Sequence, residues 1–246
     1  MASETLRGVA RYAEDQWGLV TRRQVEATGL SKATMTRLIK RGDLERVAHG
    51  VYHLRGAPLP DLAELRAAWL QLAPEVPAWK RTVSQGVVSH RSAAVVFSLG
   101  HLPADTHDFT IPTRRQTRRR DVRLHLRELA DGEWMVHRGL MVTRPSRIAA
   151  DLLLDHEEPS AVAQLIADSV RPAYDRPAAF AGALAPLASR FGLRRDDGLA
   201  LLRWLLELIG DPDTDRWVGQ AQHAEAPDDE ETVWRASGPG EAAVGT

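Results

Sequence analysis

The sequence predicts an α+β protein with an N-terminal winged helix-turn-helix, then a mixed α/β domain ending in a helical bundle, then a disordered acidic tail. Three observations indicate this order. Residues 21–54 read as two short helices around Gly29, followed by two short strands. Residues 57–210 combine strand-like runs with longer segments of helical periodicity. After residue 210 the periodicity ends and Asp, Glu, Gly and Pro accumulate, so residues 211–246 are expected to be disordered.

The composition is that of a globular protein and excludes several classes of function. The chain has 246 residues, of which 43% are hydrophobic, and a formal net charge of −1. It contains no cysteine, which excludes disulfides, thiolate metal sites and catalysis by a thiol. The N-terminus is charged and amphipathic, unlike a signal peptide, and no apolar run approaches the roughly 20 residues of a membrane span. We therefore expect a cytoplasmic protein with no membrane contact.

The near-neutral net charge conceals a division along the chain. Residues 1–127 contain 21 Lys and Arg against 12 Asp and Glu, whereas residues 128–246 contain 11 against 21. The basic N-terminal half and the acidic C-terminal half suggest that the first half of the chain contacts a nucleic acid.

The winged segment, placed at residues 1–56, follows from capping and turn residues. Residues 6–17 have an apolar stripe at helical spacing and predict a first helix. Thr21 is placed to cap a short helix over residues 24–28, and Ser31 to cap a second helix that runs to about Arg41. Strands are predicted at residues 44–47 and 51–54, with Gly50 in the tight turn between them.

The second helix of this segment has the residue types of a DNA-recognition helix. Small and polar residues at its N-terminal end suit base edges, and cations further along suit phosphates. The wing adds two basic side chains that suit the DNA backbone or minor groove. The alternative is a cationic winged helix that binds only protein. The candidate DNA-binding residues are Ser31, Lys32, Thr34, Thr36, Arg37, Lys40, Arg41, Arg46 and His49.

Residues 57–210 are predicted to form the second domain, after a connector rich in Pro and Gly. One histidine in it, His90, follows Ser89 at a predicted helix start, where a histidine is usually a hydrogen-bonding core or capping residue. Helices are predicted at residues 62–72, 91–99, 145–154, 161–171, 178–191 and 197–209, and strands at residues 108–112, 122–126, 134–137 and 139–143.

The densest charge run in the chain, residues 113–120, is predicted to be an exposed hairpin loop between two strands. Such a run can simply be a solvated loop. Guanidinium groups side by side nevertheless repel one another unless an anion is near, which favours contact with phosphate or with an acidic protein surface. The arginines concerned are Arg114, Arg115, Arg118, Arg119 and Arg120.

Three stretches of the chain resemble one family. The winged pattern over residues 20–54, the sequence VSHRSAA at residues 88–94 and VTRPSRIAADLL at residues 142–153 are similar, in this order, to AbiEi-type antitoxins of type IV toxin–antitoxin systems. The resemblance extends over about residues 6–208, and the acidic tail departs from it.

The resemblance implies two activities. The winged domain would bind operator repeats upstream of its own operon and repress it, and the second domain would counteract a cognate nucleotidyltransferase-like toxin. It also implies a basic face across both domains. We expect double-stranded DNA and this toxin as partners, with the protein a monomer or weak dimer that can bind DNA cooperatively.

Two alternatives to this function are a nuclease and a stand-alone transcription regulator. A nuclease of the restriction type needs Asp or Glu two residues before a lysine to hold Mg²⁺, and the residues in that position are Leu30, Leu38 and Ala78. We therefore expect no catalytic residue, no metal and no cofactor. A stand-alone transcription regulator with a sensor domain is the other alternative, which a toxin gene next to this one would argue against.

Overall fold

The computed structural model describes residues 2–224, with side chains from Arg7 onward. It has the α+β architecture that the sequence predicts. A three-stranded sheet belongs to the N-terminal segment, and a five-stranded sheet with a group of helices forms the remainder.

The N-terminal segment is a winged helix-turn-helix, as predicted. Its small sheet is antiparallel with β3 in the centre, in the order β1-β3-β2. The first strand was not predicted, because three residues are too few to show an alternating pattern. In chain order the elements are α1 (Ala2–Glu14), β1 (Leu19–Thr21), α2 (Arg22–Ala27), α3 (Lys32–Lys40), β2 (Leu44–Ala48) and β3 (Val51–Leu54).

The larger sheet has the strand order β6-β5-β4-β8-β7, and its helices pack on one another after the last strand. Short 3-10 helices lie at Ala78–Lys80, Val83–Gln85, Asp131–Glu133 and Ala185–Phe191. The strands and the two helices among them are α4 (Ala63–Leu72), β4 (Val87–Val88), α5 (His90–Phe97), β5 (His107–Ile111), β6 (Val122–Leu126), β7 (Trp134–His137) and β8 (Leu140–Thr143). The helical group contains α6 (Pro145–Leu154), α7 (Pro159–Val170), α8 (Pro177–Leu184), α9 (Gly198–Leu208) and α10 (Thr214–His223).

The predicted hairpin around the arginine run is wrong. Strands β5 and β6 pair in parallel, with His107 opposite Val122 and Ile111 opposite Leu126. Residues 112–121 therefore cross back along the sheet instead of making a tight turn. We call residues 113–120 the arginine segment.

Two further predictions about the helical region need correction. The helix predicted over residues 178–191 is divided between α8 and a 3-10 helix, where Pro186 lacks the N–H that a continuous α-helix requires. Disorder from residue 211 is wrong for the start of the tail, because α10 buries Trp217, Val218 and Ala221. Residues 225–246 lie outside the described residues.

The winged segment has a hydrophobic cluster of its own around Met35, but two of its strand residues lie in the core of the larger domain, so part of that core is shared. Leu19 of β1 and Val51 of β3 are fully buried in the same cluster as Trp69 and Leu70 of α4. Polar contacts reinforce this junction, since the Gln16 side chain accepts a hydrogen bond from the backbone N–H of Ala78 at 2.8 Å. The wing is therefore held against α4 by buried contacts.

Candidate nucleic-acid interface

The N-terminal end of α3 is an ordered and accessible polar surface. Ser31 Oγ accepts a hydrogen bond from the Thr34 backbone N–H at 3.2 Å, which caps the helix as predicted. Met35 is buried beneath it against Val25 and Leu44. Ser31, Lys32 and Thr36 are exposed on the opposite side, and Thr34 is half-buried. The residues predicted to approach base edges thus lie at one end of a helix that is fixed from below.

Both hydroxyl groups within α3, those of Thr34 and Thr36, already have partners in the helix. The Arg37 guanidinium donates to Thr34 Oγ1 at 3.0 Å, so Arg37 reaches back toward the start of the helix. Thr36 Oγ1 donates to the carbonyl of Lys32 at 2.9 Å. We therefore treat Thr34 and Arg37 as one polar unit at the N-terminal end, and Thr36 as the less available hydroxyl.

The C-terminal end of α3 is cationic. Lys40 is exposed, and Arg41 is exposed while its Nε lies 3.2 Å from Asp43 Oδ2. An exposed pair of this kind is weak, so a phosphate can compete with Asp43 for the guanidinium. This end of the helix suits backbone contacts better than base contacts.

The wing tip presents two basic side chains. Arg46 Nη2 lies 3.2 Å from Nδ1 of His49, and both side chains are exposed. Gly50 has φ +72°, the left-handed conformation that the two-residue turn requires. The tip is also fastened to α4, because Gln71 Nε2 donates to the carbonyl of His49 at 2.6 Å.

Two arginines of the arginine segment make anchoring contacts with the rest of the protein, and the other three do not. Arg115 donates to the carbonyl of Leu72 at 2.9 Å. Arg119 is half-buried, against the expectation of an exposed side chain, and it binds the side chains of Gln71 and Asp121. Its guanidinium lowers the pKa of Asp121 to about 2. Arg115 remains exposed despite its contact, and Arg114, Arg118 and Arg120 are exposed and make no hydrogen bond or ion pair with the described residues.

The structure brings the wing tip and the arginine segment together. A cavity of about 490 Å³ lies between them, and its lining includes His49, Gln71, Arg115 and Arg119. Gln71 contacts both sides, since it binds the His49 carbonyl and Arg119. Within the described residues, α3 does not line this cavity, so the wing is the part of the winged segment that adjoins the arginines.

Sequence reasoning missed three residues of this region. Arg22 and Arg23 begin α2 and line the same cavity, and their position directly after the capping Thr21 was the available signal. Arg22 is partly neutralised by Glu26 at 2.9 Å. Gln71 carried no signal, because its role depends on a contact with the wing 22 residues away. We refer to Arg22, Arg23, Arg46, His49 and the arginine segment as the basic surface.

Comparison with known proteins is consistent with a regulator. Residues 9–54 match the family model described as "Transcriptional regulator, AbiEi antitoxin", which confirms the resemblance for the winged segment and supports a DNA-binding role. No curated protein matches this chain. A crystal structure of the RV2827C protein from Mycobacterium tuberculosis is similar, with 16% identity and a TM-score of 0.47, covering 85% of this chain and 78% of that one. Within residues 2–224, no helix has the length and apolar character to cross a membrane.

Proposed function

We propose that this protein is a DNA-binding antitoxin that represses its own operon by binding operator repeats as a monomer or weak dimer. The observation that carries the DNA-binding part is the exposed polar and cationic face of α3, which is capped by Ser31 and fixed by Met35. The match of residues 9–54 to a regulator family supports the same assignment.

We assign base contacts and phosphate contacts to different parts of this surface. Lys32 and the unit of Thr34 and Arg37 carry hydrogen-bonding groups to base edges in the major groove. Lys40 and Arg41 bind phosphates at the other end of the helix. The basic surface, outside the groove, adds phosphate contacts that position the protein without reading sequence.

Binding to the DNA upstream of the gene, compared with a scrambled duplex at one salt concentration, tests this division. We expect Lys32→Ala and Thr34→Ala to lose about 1–3 kcal/mol of discrimination between the two duplexes, the usual magnitude of a base contact. Arg41→Ala should weaken binding to both duplexes alike. Arg195→Ala is the matched control, because Arg195 is 89% exposed and lies outside α3 and the basic surface. Equal losses on both duplexes for all three variants would contradict the division.

The antitoxin part of the proposal places toxin control in residues 128–209 and assigns it to a nucleotidyltransferase-like protein. Its support is the family description, which names an antitoxin. A second stable interface needs about 800 Å² per partner, which the small winged segment can hardly provide while bound to DNA.

A variant of the full chain separates the two activities. Replacing Lys32, Arg37 and Lys40 with Ala should abolish operator binding, while cells that express the neighbouring candidate toxin gene should still be rescued. The reverse result, with rescue lost together with DNA binding, would place toxin control on α3 and contradict our assignment. If the neighbouring gene is not toxic, the antitoxin part of the proposal fails.

A second candidate function is a stand-alone regulator with a small-molecule sensor. The cavity of about 490 Å³ between wing and arginine segment favours it, because Leu72, Val122 and Leu124 line it beside the arginines. An anionic ligand with an apolar body would suit such a lining. A non-toxic neighbouring gene, together with a metabolite that shifts operator affinity, would favour this function.

A further inference from the structure

Three elements of the larger domain bring two histidines and a carboxylate together. His90 begins α5, His125 lies on β6, and Asp155 ends α6. One ligand atom from each residue lies within 4.8 Å of the others. His90 Nε2 is 4.0 Å from Asp155 Oδ2, and the imidazole rings of His90 and His125 stack with centroids 3.5 Å apart.

Both histidines are oriented through their other ring nitrogen. His125 Nε2 lies 2.9 Å from Oδ1 of the buried Asp108, which leaves Nδ1 of His125 for a further partner. His90 Nδ1 lies 3.0 Å from Ser89 Oγ, which leaves Nε2. A histidine held by a carboxylate or another oxygen on its second nitrogen is the usual arrangement around a metal ion, because that contact fixes the tautomer and the ring direction.

A buried carboxylate close to this cluster has one oxygen without a hydrogen-bond partner. Asp151 is buried, its side chain is 6% exposed, and its Oδ2 has no hydrogen-bond partner among the described residues, although Arg147 binds its other oxygen. Asp151 lies one helical turn before Asp155, whose backbone N–H donates to the Asp151 carbonyl at 3.0 Å. A buried carboxylate oxygen without a partner is costly, and a nearby cation would offset that cost.

We propose that His90, His125 and Asp155 form a binding site for one divalent transition-metal ion of the Zn²⁺ type. Two imidazole nitrogens and one carboxylate oxygen are ligands that Zn²⁺ takes at about 2.0–2.2 Å, with water in the fourth position. Tetrahedral ligands lie about 3.3 Å apart at such bond lengths. The site therefore closes by rotation of Asp155, which is one-third exposed, and by tilting of the stacked rings.

The ion would fasten β6 to α5 and to the end of α6. Because β6 directly follows the arginine segment, the ion also fixes the point at which that segment re-enters the sheet. The inference is independent of the DNA-binding proposal, since it concerns other residues and another ligand.

Titration of tag-free full-length protein with Zn²⁺ by calorimetry, and with Co²⁺ by visible absorption, tests the site. We expect one equivalent of each metal to bind, with Co²⁺ giving the absorption bands of nitrogen and oxygen coordination. Asp155→Asn should weaken Zn²⁺ binding at least about tenfold, and His125→Asn should abolish it. Zn²⁺ at about 100 times its dissociation constant should raise the melting temperature by roughly 5–10 °C.

Two further variants make the assignment specific. Arg123 Nη1 lies 3.4 Å from Asp155 Oδ2 and competes with a metal for that oxygen. Arg123→Gln should therefore tighten Zn²⁺ binding by about threefold or more. His156→Asn is the matched control, because His156 is the exposed neighbour of Asp155 and should not affect binding.

Circular dichroism without metal establishes that each variant is folded. Should His125→Asn fail to fold, Asp155→Asn and Arg123→Gln carry the test, because both side chains are partly exposed. Failure of the folded wild-type protein to bind Zn²⁺ at micromolar concentration would overturn the proposal. Unchanged affinity in Asp155→Asn, or loss of binding in His156→Asn, would overturn it as well.

Discussion

Thr34 connects the cap of α3, the proposed recognition helix, to its first arginine, because its hydroxyl contacts both Ser31 and Arg37. We expect Thr34→Ser to retain operator preference, since it keeps the hydroxyl. Thr34→Val has nearly the same shape without a hydrogen-bonding group and should lose about 1–3 kcal/mol of discrimination. Binding of both variants to operator and scrambled duplexes measures the difference. Equal behaviour of the two variants would show that the hydroxyl does not read bases.

The ion pair of Arg119 and Asp121 is expected to be detectable in a titration of the Asp121 carboxyl group. The hydrogen bond from Arg119 lowers the pKa of Asp121 to about 2, so the carboxylate stays ionised in the fold at pH values where an unfolded Asp is protonated. The resulting stabilisation is present above the ordinary Asp pKa and is lost as pH falls toward 2. We expect Arg119→Gln to move the Asp121 pKa back toward its ordinary value, as followed by carboxyl NMR shifts. An unmoved pKa would mean that Arg119 does not hold Asp121 in solution.

Residue types and local spacing were sufficient to predict the caps of α2 and α3. Thr21 and Ser31 were identified because a cap and its helix are adjacent in sequence, and both accept the expected backbone hydrogen bond. The cluster of His90, His125 and Asp155 could not be found in this way. Its members come from three elements, and no short motif connects them. From sequence alone His90 is therefore expected to be a core or capping residue, and no metal is expected.

At the scale of elements, the arginine segment is expected to contribute to DNA affinity through the three exposed arginines that make no anchoring contact. Each neutralised phosphate contributes about −0.9 to the slope of log K against log salt. Replacing Arg114, Arg118 and Arg120 with Gln should therefore flatten the slope by roughly 2–3 units and leave operator preference intact. Operator and scrambled duplexes titrated at several salt concentrations provide the measurement. An unchanged slope would remove the segment from the DNA interface and leave an acidic protein surface as its partner.

A double variant of the two anchoring arginines provides the comparison for this triple variant. Arg115 and Arg119 bind Leu72, Gln71 and Asp121, so replacing both with Gln should loosen the segment and lower the melting temperature. The triple variant should melt close to the wild type, because its side chains are exposed. The opposite pattern, with the triple variant destabilised and the double variant unaffected, would contradict this division.

The incorrectly predicted hairpin shows that the positions of these strands, but not their pairing, could be predicted from the sequence. Residues 108–112 and 122–126 were correctly identified as strands to within one residue. Two neighbouring strands joined by a polar stretch usually pair antiparallel, and their alternation pattern is the same in either orientation. The crossing segment between the two strands contacts α4 through Arg115 and Arg119, and no local pattern displays such contacts.

At the scale of the whole molecule, the shared core predicts cooperative unfolding. Val51 of the wing is fully buried in the same cluster as Trp69 of α4. We expect Val51→Ala to cost about 2 kcal/mol and to lower a single melting transition of the whole chain by roughly 4–8 °C. Calorimetry measures this, with Arg195→Ala as an exposed control. Two separated transitions would show that the winged segment unfolds by itself.

The attachment of the wing tip to α4 through Gln71 has a consequence for the DNA. In the proposed complex with DNA, the tip and the arginine segment are held together, so we expect the distance between their phosphate contacts to be fixed and the duplex to adapt its path instead. Bending or narrowing a duplex costs an energy that depends on its base steps. We therefore expect the fixed wing to favour flexible base steps, including some that no side chain touches, so that the operator would be recognised partly by its mechanical properties.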